Sequence, residues 1–185
     1  MMKTKLTLLF IALVGAVNFV SAQATEECVT TMSIFSEHAK VKNYDAAYEP
    51  FMKLRKECPT TSFALYQYGE RILKHKIDNS TGAEQVAFLE DLKKMYQEKK
   101  THFAAKTNEG EDIADVATIM YDSKIGTASE QYAQFNKAWD TDRATFTNAK
   151  GLYEYFVVAV ELQEAGEIEL QEVFDRNKMC SGVNM

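Results

Sequence analysis

The chain has 185 residues and carries 21 Lys and Arg against 27 Asp and Glu, a formal net charge of −6. That acidic balance argues against nucleic acid or an anionic membrane surface as the partner. With two prolines, eight glycines and no polar low-complexity linker, the chain reads as a leader followed by one domain, long enough to bury about two-thirds of its unfolded surface.

Lys3 and Lys5 precede an apolar run from Leu6 to Val20, interrupted by Thr7, Gly15 and Asn18, and Val20-Ser21-Ala22 closes it. A basic start, a short apolar centre and a small residue at the cleavage point make residues 1–22 a secretory signal peptide. The run is too short and too interrupted for a good membrane span. The mature chain is therefore expected to begin at Gln23, two positive charges poorer and with no membrane span. No cysteine stands at the cleavage point, which argues against a lipid anchor. The Ala22-Gln23 junction resembles those of exported Bacteroidota proteins, and that resemblance implies the periplasm.

From Glu26 to about Val41, Cys28, Met32, Phe35 and Ala39 fall at i, i+4, i+7 and i+11, one apolar stripe of a first helix. Ala47, Phe51, Leu54 and Cys58 repeat the spacing between Asn43 and Pro59, with Asn43 as N-cap and Pro59 as the stop. Three cysteines in an exported chain invite one pair and one leftover. Cys28 opens the first helix and Cys58 closes the second, and an antiparallel hairpin brings those ends together. A Cys28–Cys58 disulfide is expected; two separate buried thiols are the alternative. Cys180 lies in a polar tail and receives no role.

A third helix is predicted from Thr60 or Thr61 to about Ile77, with Leu65, Tyr68, Gly69 and Ile72 on its stripe. Gly69 in mid-helix costs roughly 0.5 to 1 kcal/mol against Ala, which close approach of a neighbouring helix recovers. Thr81 and Glu84 read as a capping box opening a fourth helix to about Phe103. Its stripe is Phe88, Leu89, Leu92, Met95 and Tyr96, with Lys93, Lys94, Lys99 and Lys100 on a solvated side. After a loop from Ala104 to Gly110, Ile113, Val116, Ala117 and Met120 mark a fifth helix from Glu111 to Lys124, ended by Gly126. Thr127 and Glu130 form a second capping box, and Ala128, Tyr132, Phe135 and Trp139 are the stripe of a sixth helix. Asn148 to Ala165 makes a seventh, apolar nearly all round, and Gly166 breaks it. Glu167 to Arg176 begins an eighth with Ile168, Leu170, Val173 and Phe174.

The run Asn43 to Pro59, with Tyr44, Ala47, Phe51, Leu54 and Pro59, is similar to the second helix of a tetratricopeptide repeat, and the match extends to Ile72. The resemblance implies an all-α, right-handed superhelix of about four helical hairpins over residues 23–176, followed by an irregular tail at 177–185. Phe51, Leu92, Phe135 and Phe174 recur at about 40 residues, longer than the ~34 of tetratricopeptide arrays and nearer the ~40 to 47 of HEAT repeats. Longer connections account for the excess, and the tetratricopeptide reading is preferred. Phe35 departs from the pattern, standing where a small residue is usual. Asn177 to Met185 has no capping face, so the chain is expected either to be the front part of a longer array or to end in unrelated residues.

No HExxH, GxSxG, Gly-rich phosphate loop or CxxC occurs, and His38, His75 and His102 fall singly on three different helices. Carboxylate pairs such as Glu111-Asp112 look like first-turn charges. No catalytic residue, metal ligand or cofactor is therefore assigned. What the resemblance implies is a non-enzymatic scaffold or adaptor of the cell envelope, holding a protein or peptide in a concave groove built by the first helix of each hairpin. On the third helix the groove positions match Tyr66, Glu70 and Lys74, and on the seventh Tyr153 and Tyr155 are candidates. The second reading is a glycan- or solute-binding module of an envelope uptake system, although the single Trp139 sits on a core stripe rather than on a stacking surface.

Overall fold

The computed structural model describes residues 26–143, 146 and 149–175. The expected signal peptide, the tail at 177–185 and Cys180 lie outside the described residues. No β-strand occurs among the described residues, and helix follows helix in the expected order. They are α1 (26–40), α2 (Tyr44–Glu57), α3 (Ala64–Asp78), α4 (Gly82–Phe103), a short 3₁₀ turn (Ala104–Lys106), α5 (Glu109–Asp122), α6 (Ala128–Thr141), α7 (Ala149–Glu164) and α8 (170–175). The packing divides between His75 and Lys76, within α3, into two compact units. Among the described residues no helix is long and apolar enough to cross a membrane.

In the first unit the predicted stripes meet. Phe35 and Ala39 of α1, Ala47, Phe51 and Leu54 of α2, and Leu65, Tyr66, Ile72 and Leu73 of α3 are all essentially inaccessible to solvent. Phe35 stacks on Phe51 with ring centroids 6.1 Å apart and meets the edge of Tyr68 at 6.0 Å. The bulky residue that departs from the repeat pattern is thus a centre of this core. Gly69 is buried. Asn43 caps α2 by accepting the Ala46 N–H at 3.4 Å, and Pro50 sits inside that helix, where it withholds one donor from the ladder. Cys28 and Cys58 form the expected disulfide, with Cα atoms 6.0 Å apart. Lys53 and Glu27 are ion-paired beside it.

In the second unit α6 and α7 both pack on α5 and on each other, while α4 lies against α5. Their shared core joins Ile113 and Ala117, Tyr132, Phe135, Ala138 and Trp139, Leu152, Tyr155, Val158, Ala159 and Leu162, and Val173 of α8. Phe146, from the α6–α7 connection, enters this core at 1% exposure and touches Phe135, Trp139 and Tyr155 at centroid distances of 6.3, 6.1 and 6.1 Å. Sequence periodicity gave no hint of it, because it stands alone among polar residues. The seventh helix is less enclosed than its composition suggested: Tyr153 is 66% exposed.

Helix ends follow from local hydrogen bonding. The Thr127–Glu130 capping box is complete, with Glu130 N–H donating to Thr127 Oγ1 at 3.2 Å and Thr127 N–H to Glu130 Oε2 at 2.7 Å. These bonds hold the Glu130 carboxyl below the ordinary carboxylate range. The capping box expected at Thr81 is absent, since its side chain makes no cap bond. The Ser80 hydroxyl donates to the Lys76 carbonyl at 2.7 Å and the Gln85 amide to the Ile77 carbonyl at 3.0 Å instead. Three helices end in the same double-bonded turn with a left-handed residue after the cap. Gly166 serves α7 in this way, with Glu167 N–H to Leu162 C=O at 2.8 Å. Lys42 serves α1, at φ 60°. For α5 the residue is Lys124 at φ 53°, with Ile125 N–H on Met120 C=O at 2.8 Å, and not Gly126 as expected. Gly126, at φ 78°, turns the chain just afterwards. The buried Gln131 amide then satisfies the carbonyls of Met120 and Ile125, at 3.3 and 3.2 Å.

Candidate functional site

The residues expected to line a groove separate into three environments. Tyr66 is fully buried in the first unit and donates its hydroxyl to the Pro59 carbonyl at 3.1 Å, so it anchors the α2–α3 turn and offers no surface. Glu70 and Lys74 are about one-third exposed and ion-paired at 2.8 Å along α3. The row i, i+4, i+8 drifts about 40° per step around a helix, which carries it from the core at Tyr66 to the rim at Lys74. Tyr153 and Tyr155 are two residues apart on α7, a spacing that cannot share a face. Tyr153 points to solvent, whereas Tyr155 is 1% exposed and donates to Asn136 in the core of the second unit. Tyr66 and Tyr155 are therefore packing residues, a correction to the groove expectation.

A cavity of about 400 Å³ lies elsewhere, in the second unit, where α4, α5 and α6 meet. Its floor is apolar: Ile113 and Val116 of α5 and the ring of Tyr96 of α4 are each less than a tenth exposed. The Tyr96 hydroxyl is held by Asp115 Oδ2 at 2.6 Å. The rim is charged and ordered by pairing. Lys93 bonds Glu90 and Lys100 bonds Glu109, each at 2.7 Å. Lys99, expected on a solvated side, is buried; its ammonium meets Asp112 at 2.5 Å and lies over the Tyr96 ring at 4.6 Å. Asp112 is thus more than a first-turn charge, for it satisfies a cation that α4 brings out of water. Lys94 and Lys137 also line the cavity and are exposed, and neither has a carboxylate partner among the described residues. Gln97, Thr107 and Gln134 supply polar groups between them. The amphipathic pattern of α4 revealed the lysines, but the way three helices gather them was not legible.

A second cluster joins α5 and α7. Glu154 is 2% exposed, its Oε1 lies 3.4 Å from Lys150 Nζ, and its Oε2 has no hydrogen-bond partner. Burial pushes this carboxyl above the ordinary range, the nearby Asp122 adds to the effect, and Lys150 opposes it. Lys150 itself bonds Asp122 at 2.5 Å, which raises the affinity of its amine for the proton. Among the described residues no group of three or more His, Cys, Asp or Glu side chains is placed to hold a metal ion. Trp139 is 5% exposed and covered by the Arg143 guanidinium at 4.7 Å, so it presents no face for stacking on a sugar ring.

Compared with models of known protein families, with curated proteins and with solved structures, the chain matches none.

Proposed function

We propose that this protein is a non-enzymatic scaffold of the periplasm, a right-handed tetratricopeptide-like superhelix, which holds a segment of a partner polypeptide in the groove between α4, α5 and α6. The observation that carries the reading is the groove's construction: an apolar floor of Ile113, Val116 and Tyr96 under a lysine-bearing rim, about 400 Å³ in all. That size accepts several side chains, and an apolar centre with a polar rim is how polypeptide interfaces are built. The packing of α5, α6 and α7 on one another agrees with successive helical hairpins. Export is supported by the leader and by the disulfide, which persists in oxidising compartments.

The test is a paired capture from detergent-solubilised envelope of the source cells, using the mature chain and its K94E/K137E variant under oxidising conditions. The reading expects one polypeptide retained near stoichiometrically by the first and lost from the second. Equal retention by both folded proteins removes the groove from the account.

A further inference from the structure

The groove's charge is unbalanced in one direction. Each of the three carboxylates on its rim is already matched by a lysine, as described above. Lys94 and Lys137 remain, two exposed ammonium groups with no carboxylate partner among the described residues. They stand beside the apolar floor of Ile113 and Val116 in a chain whose formal net charge is −6. A cationic groove in an acidic protein attracts negative charge locally while the rest of the surface repels polyanions such as nucleic acid.

Resting on the scaffold reading, we propose that the occupant is an acidic polypeptide segment, whose carboxylates meet Lys94 and Lys137 and whose apolar side chains cover Ile113 and Val116. A cationic segment would face the two ammonium groups with like charge. A neutral one would gain only the floor.

The probes are three short soluble peptides alternating Leu with Glu, with Gln or with Lys, titrated into the isotope-labelled mature protein and into its K94Q/K137Q variant. Amide shifts locate binding and give affinities. The Glu peptide is expected to shift α4, α5 and α6 resonances and to bind about tenfold more tightly than the Gln peptide, with that preference lost in the variant and weakened by salt. Because both lysines are exposed, the variant keeps the fold, which its spectrum verifies. Equal binding of the Glu and Gln peptides in the groove, or a preference for Lys, overturns the acidic occupant but leaves the scaffold reading standing. No shifts in α4, α5 and α6 with any peptide overturns both.

Discussion

Cys28 in the first turn of α1 is bonded to Cys58, the C-cap of α2, and this bond closes a loop of 30 residues around the first hairpin. In the chain-entropy picture a closed loop of that length stabilises by about 3 to 4 kcal/mol. The C28S/C58S variant is therefore expected to lose about that much, measured by denaturant unfolding. Because the disulfide and its ion-paired neighbour Lys53–Glu27 lie in the first unit, amides of α1 and α2 should lose hydrogen-exchange protection first. Uniform loss across α1 to α7 would contradict this.

Phe146 holds the end of the second core against three aromatic rings. F146A is expected to cost about 3 to 5 kcal/mol, the range for deleting a buried phenyl ring, in spite of its position in a polar connection. Opposite it, a Cβ on Gly151 would stand 3.0 Å from Phe146 Cε2. G151V should destabilise by about 1 to 3 kcal/mol through overpacking, and the effects of G151V and F146A should fall short of additive, since the smaller side chain leaves room for the larger.

The Lys99–Asp112 pair has side chains only 10% and 12% exposed. D112A strands a buried ammonium and is expected to cost about 3 kcal/mol. K99M/D112A should recover most of that loss, because the charge is then gone and the methionine fills the lysine's path over the Tyr96 ring. A double variant as unstable as the single one would show that the pair itself carries the stability.

Glu154 makes stability depend on pH in a definite direction. Its carboxyl titrates above the ordinary carboxylate range in the folded chain, so the native state holds a proton that the unfolded state has released. Stability contributed by this group is present at low pH and falls as pH rises through the window between the two values. E154Q does not titrate. Its melting temperature relative to the parent should therefore climb as pH rises past the ordinary glutamate value of about 4.3, with Asp122 and Lys150 retained in both. A flat difference contradicts the assignment.

Much of the architecture was legible because apolar stripes at helical spacing mark helices and their inward faces. Phe35, Phe51 and Leu54, and likewise Tyr132, Phe135 and Trp139, are buried as their spacing predicts. The disulfide followed from the cysteine count of an exported chain together with the hairpin, which brings Cys28 and Cys58 to the same end. Helix ends were less legible, because Thr81 and Thr127 offer the same sequence signature and only Thr127 closes a capping box. The groove was hardest. Lys99 and Lys94 sit on one helix with similar flanks, yet one is buried against Asp112 and the other is exposed. What separates them is the approach of α5, a relation between helices that no single stretch encodes. Tyr66 and Tyr155 misled for the same reason: a tyrosine's amphipathic nature suits both an interface and a core, and packing decided for the core.

The most direct test of the groove is site-specific photo-crosslinking in envelope of the source cells, with a benzophenone side chain at position 94, at 137 or at 153. Positions 94 and 137 line the groove, whereas Tyr153 is exposed away from the buried face of α7. The account predicts the same polypeptide adduct from positions 94 and 137 and none from 153. An adduct from 153 alone, or from all three positions equally, would contradict it.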